Sequence, residues 1–148
     1  MRSHRLAVCT ASLLAVMCGT ALAADGPVEP VSVKAVARFD FDRAAINPED
    51  RARILAEVGQ MKDVSWQSVT ATGYTDSVGR PSYNQRLSAR RAAAVKRYLV
   101  GKGLQPAMIK AVGAGDAAPV ASNDTDDGRA QNRRTEIEFK GVRTAPAR

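Results

Sequence analysis

The chain has 148 residues, enough for one domain with a real core, and a formal net charge of +7 at neutral pH. Its single histidine, His4, and both cysteines, Cys9 and Cys18, fall within the first twenty residues. The rest of the chain therefore has no Ser-His-Asp triad, no thiolate and no disulfide, and it lacks the commonest metal ligand. We expect no metal and no cofactor, and any hydrolase here would depend on carboxylates, lysine or tyrosine.

Residues 1–23 read as a secretory signal peptide. Arg2 and Arg5 precede an uncharged apolar run over 6–18, and Ala21-Leu22-Ala23 supplies the small-x-small cleavage pattern. Ala15-Val16-Met17-Cys18 is a poor match to a lipoprotein site. Cleavage after Ala23 leaves 125 residues with 20 basic against 15 acidic, a net +5. No later segment is apolar enough for a transmembrane helix. The basic residues are scattered among acids, which argues against nucleic acid and for an anionic component of the cell envelope.

Residues 24–32, with two prolines, are expected to be a flexible leader. From Val31 the alternation is unbroken. Val31, Val33, Ala35, Ala37, Phe39 and Phe41 share one face, and Ser32, Lys34, Val36, Arg38, Asp40 and Asp42 the other, so a half-buried strand is predicted over 31–42. Asn47-Pro48-Glu49-Asp50 opens a helix, with a capping Asn, Pro in the first turn and two acids at the positive end of the dipole. Ile54, Leu55, Val58 and Met61 give it an apolar stripe ending near Lys62. A second strand is predicted over 65–75, with Val69, Ala71 and Gly73 on one face.

After Gly79-Arg80-Pro81 a second helix starts, with Ser82 as the expected cap and Gln85 closing a capping box. It ends at Gly101 and Gly103. A single helical turn over 106–110, a short strand over 111–113, a polar loop over 115–132 and a last strand over 134–140 follow. That strand turns Thr135, Ile137 and Phe139 inward. Residues 33–141 form the expected folded domain, and 142–148 a disordered tail. The order predicts a two-layer α/β sandwich: a βαβαβ core, a mixed, mostly parallel sheet, and two main helices on one face.

On the second helix Asn84, Leu87, Ser88, Arg91, Val95 and Tyr98 fall in one arc, with Arg91 in its middle and Arg86, Arg90 and Arg97 pointing away. An arginine on a core-facing stripe needs a negative partner, and Asp76 lies on the turn that delivers the helix. Either the two form a structural ion pair, or they grip a zwitterion, Asp76 taking an ammonium and Arg91 a carboxylate. Thr75, Asn84 and Ser88 add uncharged polar groups around the same spot. Asp40 and Asp42 share a solvent-facing edge, which disfavours acid–base catalysis by that pair. Residues 123–128 superficially match a calcium loop, but Arg134 stands where its bidentate Glu is required. Arg133 and Arg134 alternate in direction, so one of them can face a pocket.

Phe39-Asp40-Phe41-Asp42, Ile46-Asn47-Pro48-Glu49, residues 73–79 (GYTDSVG), 83–92 (YNQRLSARRA) and 128–137 (GRAQNRRTEI) closely resemble the OmpA-like peptidoglycan-binding domain family. That family includes C-terminal domains of outer-membrane porin-like proteins, peptidoglycan-associated lipoproteins and flagellar stator proteins. The resemblance covers about residues 33–141. It implies non-enzymatic, non-covalent binding to the meso-diaminopimelate of the peptidoglycan peptide stem, in the periplasm at the outer membrane or cell wall. It further implies that Asp76 takes the ligand's ammonium and Arg91 its carboxylate, with further contacts from Asp42, Asn84, Leu87 and Arg133. The rival expectation is an envelope protein–protein interaction module in which Asp76 and Arg91 form a purely structural pair. Other outer-membrane or envelope-complex proteins are expected partners in either case.

Overall fold

The computed structural model describes residues 26–144; the expected signal peptide lies outside them. Strand β1 is Val28–Arg38, helix α1 Pro48–Gly59, strand β2 Val64–Gly73 and helix α2 Pro81–Gly101. A 3-10 turn at Pro106–Met108 leads into β3, Ile109–Gly113. Helix α3, Asp126–Asn132, and strand β4, Arg134–Thr144, complete the fold.

The four strands form one sheet in the order β1-β4-β2-β3. The helical crossovers make β1, β2 and β3 run the same way, as expected. Strand β4 enters antiparallel between β1 and β2, so β2–β3 is the one parallel pair. Both long helices cover the same face. Ile54 of α1 and Val95 and Leu99 of α2 share a core with Ala35, Ala37, Val69, Ala71, Ile137 and Phe139. A two-layer sandwich results.

Several local expectations need correction. Residues 28–32 of the expected leader and 142–144 of the expected tail belong to the sheet, where Val28 pairs with Thr144 and Pro30 with Val142, while 24–25 and 145–148 lie outside the described residues. Pro30 is tolerated because β1 is an edge strand. The first strand ends at Arg38 rather than Asp42. A turn follows, in which Asp42 adopts a left-handed conformation with φ 57°. That turn throws Phe41 outward, to 61% exposure, while Phe39 stays buried.

Helix α1 is capped as expected by Asn47, whose Oδ1 accepts from the Asp50 amide at 2.7 Å. Leu55 faces solvent, and the buried side chain on the adjoining turn is Asp50, which accepts the Arg38 amide of β1 at 2.7 Å. Helix α2 starts at Pro81 with Arg80 in the cap position, and no side chain caps it. Gln85 reaches instead to the Gly113 carbonyl at 2.7 Å. The polar loop over 115–132 contains α3, too short to show a periodic stripe. Its signals are a Thr125 cap, which accepts the Gly128 amide at 3.0 Å, and the acids Asp126 and Asp127 in its first turn.

Helix and sheet approach closely at Gly73. A Cβ there would lie 2.1 Å from the Ser88 carbonyl oxygen, so only glycine lets α2 settle on β2.

Candidate functional site

Four segments meet beyond the carboxyl ends of β1 and β2: the turn after β1, the turn after β2, the first half of α2, and the α3–β4 junction. They enclose a cavity of about 190 Å³ lined by Phe41, Asp42, Asp76, Val78, Gly79, Tyr83, Leu87, Arg91 and Arg133. At ~30 Å³ per water, that is room for about six waters, or for the charged head of an amino acid.

Each wall has a local cause. Strand β2 ends at Gly73, and the next two residues are pinned from outside. The Tyr74 amide donates to the Arg134 carbonyl at 2.7 Å, and the Thr75 amide to Gly115 at 2.8 Å. Asp76 is thereby presented at a fixed point, buried, and its Oδ1 accepts the Val78 amide at 3.1 Å, closing the Asx-type turn before α2. Gly79 follows with φ 101°, a conformation that favours glycine.

Arg91 is fully buried, and the charged group is held rather than neutralised. Its Nε donates to the Arg43 carbonyl at 2.8 Å, Nη1 to Tyr74 at 2.9 Å and Nη2 to Asp40 at 3.1 Å. The guanidinium also lies over the Phe39 ring, 5.3 Å from its centroid. Burial pushes its pKa down to about 10, opposed by the nearby Asp76 carboxylate, so it keeps its charge at neutral pH. Three carbonyls thus take one N–H from each nitrogen and fix the planar fork at the bottom of the cavity.

Asp76 and Arg91 do not form an ion pair. The partner of Asp76 is Arg133, whose Nη1 lies 3.1 Å from Asp76 Oδ2 and whose Nε donates to the Phe39 carbonyl at 3.1 Å. The structural Asp76–Arg91 pair of the rival expectation is therefore absent. Its cause is plain in the geometry, since Arg91 spends three of its five N–H donors on backbone and Asp76 pairs with Arg133.

Asp42 and Leu87 also line the cavity, so five of the six expected site residues share it. Asn84 does not. It is buried behind the wall, where its Nδ2 donates to the Asp76 carbonyl at 3.4 Å. Thr75 and Ser88 are likewise not in the lining; Ser88 accepts the Gly115 amide at 2.9 Å and donates to Gln85 at 2.8 Å. Tyr83, Phe41, Val78 and Gly79 are lining residues that sequence reasoning did not single out. The Tyr83 hydroxyl donates to the Asp42 carboxylate, which raises the tyrosine's pKa and ties α2 to the turn after β1. A signal for Phe41 and Val78 existed only in hindsight, as apolar residues inside turns.

The lining carries two carboxylates, Asp42 and Asp76, against two guanidiniums, Arg91 and Arg133. A pocket balanced in this way suits a ligand bearing both charges better than a simple cation or anion.

The model of the OmpA family matches residues 38–133. Outer membrane protein A of Bordetella avium is 47% identical over 105 residues, which cover 71% of this chain and 54% of that protein. Outer membrane porin F of Pseudomonas aeruginosa is 44% identical over 113 residues, covering 76% and 32%. The chain spans about half or less of the length of these relatives. The peptidoglycan-associated lipoprotein from Burkholderia pseudomallei has a similar structure, with a TM-score of 0.61 and 29% identity over 71% of this chain and 89% of that one. The cell wall anchor of the T6SS from Pseudomonas aeruginosa gives a TM-score of 0.59 and 28% identity over 79% and 88%.

Proposed function

The chain belongs to the OmpA family, and from that premise we propose that it binds peptidoglycan without covalent chemistry, tethering envelope components to the cell wall. The ligand group is the zwitterionic end of meso-diaminopimelate in the peptide stem. Asp76 receives its ammonium, and Arg91 its carboxylate, with Arg133 alongside.

The observation that carries this reading is that Asp76 and Arg91 line one small cavity without pairing to each other. Each guanidinium nitrogen of Arg91 is held by a carbonyl, which leaves one N–H on each terminal nitrogen for a carboxylate on a side chain already fixed in place. An incoming ammonium meets Asp76 with one oxygen already engaged by Val78 and the other shared with Arg133. A ligand with both charges repays that competition, because its carboxylate gives Arg133 a new partner. Affinity per site is modest and is multiplied by the repetition of stems along the wall. The names of the similar structures, one a peptidoglycan-associated lipoprotein and one a cell wall anchor, support the same reading.

The test is co-sedimentation with purified sacculi. Wild type pellets with the wall, free meso-diaminopimelate releases it, and Asp76→Asn and Arg91→Lys stay in the supernatant while retaining native circular dichroism. Folded variants that pellet as well as wild type would overturn the clamp. Release of soluble muropeptides during incubation would overturn the non-enzymatic reading.

A further inference from the structure

A second concave surface lies between α1 and α2 and shares no lining residue with the cavity. It is an open groove of about 750 Å³ lined by Ala44, Ala45 and Ile46, by Arg51 of α1, and by Ala94, Arg97, Tyr98, Gly101 and Lys102. Its charged groups are all positive. Among the described residues, none of Arg51, Arg97 and Lys102 is in an ion pair, although six other pairs form elsewhere.

Two of the three cations share one ring. Arg51 lies 5.7 Å and Lys102 5.6 Å from the centroid of Tyr98. The Tyr98 hydroxyl donates to the Arg51 carbonyl at 3.0 Å, and Arg51 Nε donates to the Ile46 carbonyl at 3.1 Å. Those bonds fix the guanidinium's orientation and leave its terminal nitrogens for an outside acceptor. Between the cations the lining is small and aliphatic: three alanines, a glycine and the buried Ile46.

We infer that this groove docks an acidic segment of a second protein chain. Carboxylates of the segment meet Arg51, Arg97 and Lys102, and an apolar side chain between them settles on the alanine floor. Charge complementarity requires an anionic occupant. The aliphatic floor selects a peptide over a phosphate polymer, which has no apolar group to place there. The concavity selects it over a bilayer, whose flat surface cannot follow the groove.

The probe is a fluorescein-labelled pentapeptide of four glutamates around a central leucine, titrated into the folded chain at low salt. Fluorescence anisotropy shows saturable binding, and amide shifts in a nitrogen-15 spectrum concentrate at Ala44, Ala94 and Gly101. The double substitution Arg97→Glu with Lys102→Glu, on exposed side chains, weakens binding by at least about tenfold, or ~1.4 kcal/mol. The same variant pellets with sacculi as wild type does, which separates this site from the wall-binding cavity. Equal peptide affinity in the double variant, or shifts scattered over all basic side chains, would overturn the inference. So would co-sedimentation of wild type, but not the variant, with phosphatidylglycerol vesicles when the peptide fails to bind.

Discussion

Asp76 is paired with Arg133 and not with Arg91, although Arg91 shares its cavity and Arg133 lies 57 positions further along the chain. The pair links the turn after β2 to the start of β4, and Arg133 Nε adds a bond to the Phe39 carbonyl after β1. Arg133 is therefore a three-way joint as well as a wall of the cavity. Arg133→Ala leaves a nearly buried carboxylate without its cation and is expected to lower stability by roughly 1–3 kcal/mol. Urea denaturation measures this, and an unchanged midpoint would refute it.

Arg91 closes two loops onto α2 through the carbonyls of Asp40, Arg43 and Tyr74. Truncation orphans three acceptors and opens a void where the largest fully buried side chain sat. Arg91→Ala is expected to cost roughly 3–5 kcal/mol. Arg91→Lys keeps the charge but not the fork, and loses less. Equal midpoints for the two variants in thermal or urea unfolding would contradict this account.

Two glycines make opposite predictions. Gly73→Ala drives a methyl into the Ser88 carbonyl, backbone against backbone, and is expected to destabilise by about 1–3 kcal/mol or more. Gly59→Ala, at the end of α1 with nothing within 4 Å of the new Cβ, is expected to be neutral or to stabilise by about 0.5–1 kcal/mol. Calorimetric melting of both variants beside wild type decides the matter.

The Tyr83 hydroxyl donates to Asp42, and this bond is the first cause of its raised pKa, with desolvation second. A tyrosine whose folded pKa lies above its unfolded value of 10.0 adds stability that is complete below pH 10.0. The contribution is lost as pH rises through the folded pKa. Of the three tyrosines, a carbon-13 ring titration should show Tyr83 above its ordinary value, moving back toward it in Asp42→Asn. An unaltered Tyr83 curve in that variant would show that the bond is not the cause.

Period and local chemistry made much of this fold legible. The helical wheel put Arg91 on the core side, and two-residue alternation put Val69, Ala71 and Gly73 inward, because each signal needs only neighbours along one element. The Asn47 cap was readable for the same reason. The Asp76–Arg133 joint was not, since an ion pair between distant segments leaves no periodic trace. Phe41 misled because alternation continues in the sequence after the strand has ended in a turn. The placement of β4 was equally hidden, because its alternating pattern serves any antiparallel slot.

That slot has a consequence for how the molecule comes into being. Strands β1 and β2 never touch as partners; each is bonded to β4, the last strand of the described residues. A growing or threading polypeptide delivers both early and leaves them with open edges until the C-terminal strand arrives. Arrival of β4 is thus what closes the sheet between β1 and β2. The same docking seats Arg133 on Asp76, so the cavity is complete only once β4 is in place.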